Sequence, residues 1–492
     1  MNTSLVLLAL TVGSFLLGFL RDVFIAKAFG LSWEADLIFV ALVLPLFFEQ
    51  FLGLALRDAM IPYLQKLRTT SETTFRAVAR WLYWRATLAS LAVTGLGILV
   101  SFWLMTALAP GWTPEQVETG QLVFCVGILL IAVQGVLYCQ GALLNMDRIF
   151  ILPMTRTLLL NAGAIIGILL FEPSGMVIFI GMLIPQIALI LLQHQRIGYV
   201  NWRMQGAQEP VGKGRGGEFG LAFAPVLLAA GAQQSCILAE RMFASFLEDG
   251  NITMLSFAFR IVTIPLTLYA MSVLSVLFPQ FAESWSKGEH GAHGEAIRKG
   301  LLATLLFLVP AAVVLCSFPE TVVSVLLERG RFGAEESAAT ATLVVAYAIS
   351  LPAMGLALLW GRALLAQNRA RVFLLITLFS SGLTIALDAL LYRTLGAQGL
   401  ALAFSAGAML QASLMGIGVY RMTPAGLGLS LLLRWAATGA AIVAALHYLP
   451  KPQGLIELVL YVLAVLVAFA LGVTALGERD LFKRSYWSMK RA

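Results

Sequence analysis

Arg21 and Asp22 stand side by side inside an apolar run, Gly18-Phe19-Leu20-Arg21-Asp22-Val23-Phe24-Ile25-Ala26, and a second charged dyad, Glu240-Arg241, interrupts another. Asp36, Glu49 and Arg260 are further charges set among apolar neighbours. An arginine presents five donors in a planar fork that grips phosphate oxygens in pairs. A carboxylate in a dehydrated cavity can bind and release a proton, the coupling chemistry expected of Glu49 and of Glu240. Charges at mid-bilayer depth cost about 2.5 to 3.5 kcal/mol each even on lenient scales, so they face protein or a water-filled path. The pattern therefore predicts movement of something polar across a membrane.

No hydroxyl, thiol or carboxylate pair shows a catalytic spacing, and no enzyme activity is expected. His290 and His293 share a Gly-rich stretch read as a loop, without further ligands, and His194 and His447 lie at segment ends, so no metal site is predicted. Cys125, Cys139, Cys236 and Cys316 sit in apolar stretches without CxxC spacing and read as packing residues. Arg57 and Asp58 read as a solvated pair. Arg156, Asp388, Arg434 and Glu457 read as lone charges near helix ends that snorkel to the interface.

Those charges must be positioned by membrane helices. Of 492 residues, 60% are apolar and only 12% charged, with mean hydropathy +0.88. The class is all-α and polytopic. The net charge of +7 does not indicate nucleic acid, because the basic residues gather in short loops. A spanning helix needs about 20 mostly apolar residues, which gives about fourteen segments. They cover 4–29, 35–63, 82–108, 121–145, 150–171, 174–194, 219–247, 253–282, 300–326, 338–366, 372–392, 398–420, 427–448 and 453–475. The first is expected to remain uncleaved, since Arg21-Asp22 occupies the place of a small-residue cleavage site.

Basic residues follow the even-numbered segments: Lys66, Arg68, Arg76 and Arg80, then Arg148, Arg196, Arg203, Lys213, Arg215, Lys287, Arg298, Lys299, Arg369, Arg371 and the tail with Lys483, Arg484, Lys490 and Arg491. Acidic Glu115, Glu118, Glu248 and Asp249 lie on the other side. Both termini are expected in the cytoplasm.

An internal repeat pairs Gly141-Ala142-Leu143-Leu144-Asn145-Met146-Asp147-Arg148 with Arg362-Ala363-Leu364-Leu365-Ala366-Gln367-Asn368-Arg369, at an offset of about 220 residues. Pro45 and Pro265, and the two charged dyads, recur at nearly the same offset. The expected organisation is a six-helix lobe over 1–200, a basic Gly-rich linker over 201–218, a second six-helix lobe over 219–424, two extra helices over 425–476 and a basic tail over 477–492.

The run Gly18-Phe19-Leu20-Arg21-Asp22, the following Ala26-Lys27-Ala28-Phe29-Gly30, Ala35-Asp36, Leu44-Pro45 and Ile61-Pro62 resemble the N-terminal signature of the MurJ/MviN lipid II flippases, in the multidrug/oligosaccharidyl-lipid/polysaccharide exporter superfamily. Phe257-Ala258-Phe259-Arg260-Ile261 and Arg329-Gly330-Arg331-Phe332 extend the resemblance across the chain. It implies a two-lobed inner-membrane transporter with a cavity lined by segments 1, 2, 7 and 8 and a lipid groove made with the last two segments. The implied partner is an undecaprenyl-diphosphate-linked saccharide, carried between leaflets by alternating access for peptidoglycan synthesis. No cofactor is implied, the membrane potential or an ion gradient being the drive. Membrane lipids and envelope polysaccharide synthesis machinery are further implied partners. By motif position Arg21 and Arg260 are the diphosphate cations and Asp22 and Asp36 their acidic partners. Arg241 joins the binding set by its place in the second dyad.

The chain departs from the family pattern where it has Phe15, Leu46-Phe47-Phe48-Glu49-Gln50 and Gly53-Leu54 in place of usual arginines and a Glu-Gly sequence. A less cationic cavity brings an exopolysaccharide repeat unit into competition as cargo, with Glu49 as coupling or specificity residue. An ion-coupled multidrug exporter is the alternative from a different functional class.

Overall fold

A computed structural model describes residues 3–54, 60–198, 215–421 and 429–475. The pair Arg57 and Asp58, most of the 201–218 linker and the basic tail lie outside these residues. Among the described residues all regular structure is helical, apart from one isolated bridge between Arg329 and Phe332. The chain forms two compact units, Met1–Thr253 with Arg329–Phe332, and Met254–Glu328 with Gly333–Ala492.

The first unit holds α1 (Thr3–Phe29), α2 (Trp33–Leu54), α3 (Met60–Thr70), α4 (Glu72–Leu99), α5 (Ser101–Leu108), α6 (Pro114–Met146), α7 (Ile151–Leu170), α8 (Gly175–Arg196) and α9 (Arg215–Ala244). Helix α6 is its spine, packing against α2, α4, α5, α7 and α8. Its start is fixed by a capping box in which Thr113 and Gln116 satisfy each other's free amides, with Pro114 in the first turn. Helix α4 likewise starts earlier than its apolar content suggests, because the Ser71 hydroxyl accepts from Thr74 N. Helices α7 and α8 approach closely at Gly163 and Gly181, where a Cβ on either would run into the other's carbonyl oxygen.

The second unit holds the remainder of α10 (Asn251–Tyr269), a π turn (Ala270–Leu274), α11 (Ser275–Ser286), α12 (His290–Ser317), α13 (Pro319–Leu327), α14 (Ala334–Ala348), α15 (Leu351–Ala366), α16 (Ala370–Tyr420), α17 (Leu429–Leu446) and α18 (Leu455–Ala475). Here α12 is central, meeting α11, α15, α17 and α18. Gly396, at φ 57° and ψ −140°, breaks α16 into two arms. Only a residue without Cβ takes that conformation readily. The break falls in the gap between the predicted segments 372–392 and 398–420.

Among the described residues each of the fourteen predicted segments falls on one helix or on two consecutive ones. Nine helices among the described residues are long and apolar enough to cross a membrane, or ten when the bent pair α14 and α15 counts as one. Helix α16 carries two predicted segments, and the segments on α2, α9 and α17 have no described helix that passes that test. Helix α9 packs with α2 and α5 in the first unit, whereas the repeat assigned its segment to the second lobe.

The backbone also re-registers the repeat. Ile149 N bonds Leu144 O at 2.9 Å with Arg148 at φ 60°, and Arg369 N bonds Leu364 O at 2.9 Å with Asn368 at φ 59°. Both helices thus end in a left-handed cap residue with a six-to-one hydrogen bond. Arg148 corresponds to Asn368, one residue from the pairing with Arg369 that the side chains suggested. Asparagine suits that backbone; a long side chain there costs about 1 kcal/mol.

Candidate functional site: buried charge clusters

In the first unit, Arg21 and Asp22 are 5% and 2% exposed. Arg21 Nε and Nη2 donate to Asp22 Oδ1 at 3.0 and 2.7 Å, and Nη1 donates to Asn161 Oδ1 at 3.1 Å. Asn161 passes the link back through Nδ2 to Ser14 O at 3.3 Å. Gly18 makes room for that amide, since a Cβ there would stand 3.2 Å from it. The charged dyad is thereby tied to α7.

Asp36, 2% exposed, spans a different gap. Its Oδ2 accepts from Gly250 N at 2.8 Å, and its Oδ1 accepts from Thr253 N at 2.7 Å and Thr253 Oγ1 at 2.6 Å. A carboxylate from α2 therefore caps the first turn of α10, where free amides and the helix dipole both favour an anion. Gly250 at φ 90° fits against Leu31, whose carbonyl oxygen a Cβ would approach to 2.7 Å. The Arg329–Phe332 turn reaches the same stretch of chain, with Arg331 N donating to Lys27 O at 3.0 Å.

Glu49 belongs to a third cluster, drawn from α2, α6 and α7. Its Oε1 accepts from Arg156 Nη2 at 3.0 Å and from the Tyr138 hydroxyl at 3.1 Å. Arg156 Nη2 also reaches the Tyr138 oxygen at 2.8 Å, Nη1 donates to Gln134 Oε1, and the guanidinium carbon lies 4.2 Å from the Tyr138 ring centroid. The Arg156 and Glu49 side chains are 13% and 20% exposed. Arg156 is therefore a buried partner of Glu49, which corrects its reading as a charge snorkelling to the interface. The available signal was a lone acid in one apolar segment and a lone base in another.

Glu240 is buried on α9, and the Arg241 guanidinium lies 5.7 Å from the Phe39 ring centroid on α2. Arg260 stands on α10 in the second unit, half-buried. The first unit thus holds Arg21, Asp22, Asp36, Glu49, Glu240 and Arg241, with the Arg21–Asp22 dyad, Asp36 and Glu49 in three separate clusters.

Three further readings change. Asp388 is 1% exposed within the first arm of α16 and does not snorkel. Glu457 caps α18, its carboxylate accepting from Gln453 N at 2.7 Å. His290 and His293 belong to the first turn of α12, not to a loop. His293 is fully buried, with Nδ1 at 3.1 Å from both Ser284 Oγ and Phe281 O and Nε2 at 3.1 Å from Gln367 Nε2. Among the described residues no group of three or more His, Cys, Asp or Glu is placed to hold a metal ion.

The sequence matches the family described as Lipid II flippase MurJ over residues 25–463. A probable lipid II flippase MurJ of Thermotoga maritima is 26% identical over 417 residues, covering 81% of each chain. Its counterpart from Rickettsia prowazekii is 24% identical over 420 residues, covering 83% of this chain and 81% of the relative. Among solved structures, a lipid II flippase MurJ in an inward closed conformation superposes with TM-score 0.83 at 20% identity, covering 97% of this chain and all of that one. An inward-facing MATE family multidrug transporter superposes with TM-score 0.68 at 12% identity, covering 92% of this chain and all of that one, a likeness of fold alone.

Proposed function

Because this chain belongs to the MurJ lipid II flippase family, a family of flippases for lipid-linked precursors, we propose that it carries an undecaprenyl-diphosphate-linked saccharide from the cytoplasmic to the periplasmic leaflet of a bacterial inner membrane by alternating access. The observation that carries this reading is the family match across residues 25–463, in a multi-pass helical chain with charges buried inside its helices. A diphosphate requires fixed cations, and Arg21 and Arg260 are our candidates. Arg21 is already oriented by Asp22 and Asn161, which holds its fork in one geometry before any anion arrives. No chemical step is needed, so the chain works as a transporter whose energy comes from an ion gradient or the membrane potential.

The test is transport in proteoliposomes loaded with fluorescent lipid II in one leaflet. Protein-dependent loss of outer-leaflet label is expected, abolished by Arg21→Ala and by Arg260→Ala and partly restored by lysine at either position. Removing Arg21 also strands buried Asp22, so the paired variant Arg21→Ala with Asp22→Ala serves as the folding control. It should recover stability without recovering transport. Transport of an exopolysaccharide repeat unit with none of lipid II would replace the cargo, and transport of neither would overturn the flippase reading.

A further inference from the structure

A groove of about 580 Å³ opens at the ends of α3 and α6, lined among others by Gln65, Arg68, Asn145, Asp147, Arg148 and Phe150. All of these belong to the first unit, and none is among the buried charges assigned above to cargo. We propose that this groove is a phospholipid headgroup site, in which Arg148 holds the phosphate of an anionic glycerophospholipid while Arg68 offsets the neighbouring carboxylates.

Three observations carry it. The first is Arg148 itself. It caps α6 in the left-handed conformation at φ 60°, where the corresponding position of α15 has Asn368. An unfavourable backbone kept under a long cationic side chain points to work done by that side chain. Arg148 is exposed, and among the described residues its guanidinium makes no hydrogen bond or ion pair.

The second is Arg68, held between two carboxylates: its Nε lies 3.5 Å from Glu72 Oε2, and Glu72 is shared with Arg76 at 2.9 Å. Arg68 Nη1 donates to Asp147 Oδ1 at 2.9 Å and to Met146 O at 3.2 Å, and its guanidinium carbon lies 5.0 Å from the Phe75 ring centroid. Asp147 is thereby matched by Arg68, leaving the Arg148 charge for an incoming anion. Gln65 and Asn145 add neutral donors to the wall.

The third observation separates a lipid from a free anion. Phe150 lines the groove and is 39% exposed, and it continues into Ile151 and Met154, 44% and 37% exposed, on the apolar surface of α7. A groove that carries arginine and amide groups on a largely apolar wall, and merges into an exposed apolar helix face, matches a headgroup with acyl chains attached. A soluble phosphate would gain nothing from that face.

The experiment uses the full chain in detergent, exposed in separate samples to phosphatidylglycerol, phosphatidylcholine and millimolar sodium phosphate, with retained lipid counted by native mass spectrometry. Arg148→Asn is the informative variant, since asparagine suits the left-handed backbone and keeps the fold. Phosphatidylglycerol should be retained in preference to phosphatidylcholine, and Arg148→Asn should weaken that retention by about tenfold, the effect of one lost charge-assisted contact. Equal retention of phosphatidylglycerol by the wild type and by Arg148→Asn would overturn the proposal. So would loss of retained phosphatidylglycerol from the wild type when millimolar sodium phosphate is added to that same sample, which would assign the groove to a soluble anion. The outcome is independent of cargo, because the measurement involves no transport.

Discussion

Arg156 Nη2 lies 3.0 Å from Glu49 Oε1 although 107 residues separate the two in sequence. The pair bridges α7 to α2, and Tyr138 on α6 contributes its hydroxyl to the carboxylate and its ring face to the guanidinium. One guanidinium thus meets a carboxylate, a phenol and an amide within three packed helices.

That arrangement predicts an asymmetry in stability. Breaking a buried pair by removing one partner costs about 3 to 5 kcal/mol, because a charge is left without compensation, whereas replacing both partners by apolar groups is often nearly neutral. The partial exposure of both side chains places the single-variant cost at the lower end, about 3 kcal/mol. Arg156→Met should therefore lower the thermal unfolding midpoint in detergent more than the double variant Arg156→Met with Glu49→Leu does. A double variant less stable than both singles would show that the pair is worth more than its desolvation cost.

Asp36 predicts a graded series at one carboxylate. Asp36→Asn keeps one oxygen but turns an NH2 group toward either Gly250 N or Thr253 N, both of which donate. The cost should be about 2 to 3 kcal/mol, the price of a buried unsatisfied donor and a lost charged acceptor. Thr253→Val removes only the hydroxyl bond and should cost about 1 kcal/mol. Unfolding midpoints ordered the other way would contradict the cap. Gly250→Ala adds both a strained φ and a collision with Leu31 O, and it should be at least as damaging as Asp36→Asn.

For Glu49, two earlier expectations were proton coupling and cargo selection. A carboxylate already held by a guanidinium and a phenol is matched where it stands, and a neutral amide can keep the contacts with Arg156 and Tyr138 through its oxygen. Glu49→Gln should therefore transport with unchanged dependence on the pH gradient in proteoliposomes. Loss of that dependence would instead make Glu49 the coupling acid. Glu49→Arg places two guanidinium groups together at low dielectric, and it should reduce folded protein before any change of cargo can be read.

The helices were legible because a membrane span is a demand on length and composition that each segment meets alone. The break between 392 and 398 was legible for the same reason, Gly396 lying in a short gap between two apolar runs. Helix starts were not, since Ser71 and the Thr113–Gln116 box sit in polar sequence that an apolar count discards. The charged residues were visible as outliers, yet their partners were not. Asp36 meets Thr253 across 217 residues and Arg21 meets Asn161 across 140, distances over which periodicity carries no information. Asn161 and Tyr138 carry no sequence signal of their own, because an amide or a phenol in an apolar helix gains a role only from the charge packed beside it.

Orientation in the membrane gives the last prediction. The basic residues collect after even-numbered segments, which puts the loops after odd-numbered segments in the periplasm. Two of those loops meet in the first unit: Gln116 Nε2 donates to Asp249 Oδ1 at 3.2 Å, and Gly111 N donates to Ser245 Oγ at 3.0 Å. Segments three and seven therefore end on one side of the unit, as the same parity requires. In a background with Cys125, Cys139, Cys236 and Cys316 replaced by alanine, single cysteines at Glu115, Asp249 and Arg329 should react with a membrane-impermeant thiol reagent added to intact cells. A cysteine at Arg203 should react only after the membrane is opened. Labelling of Glu115→Cys and Asp249→Cys on opposite sides would contradict both the charge rule and the contact between their loops, whereas labelling of both from the cytoplasm would invert the whole chain and leave that contact intact.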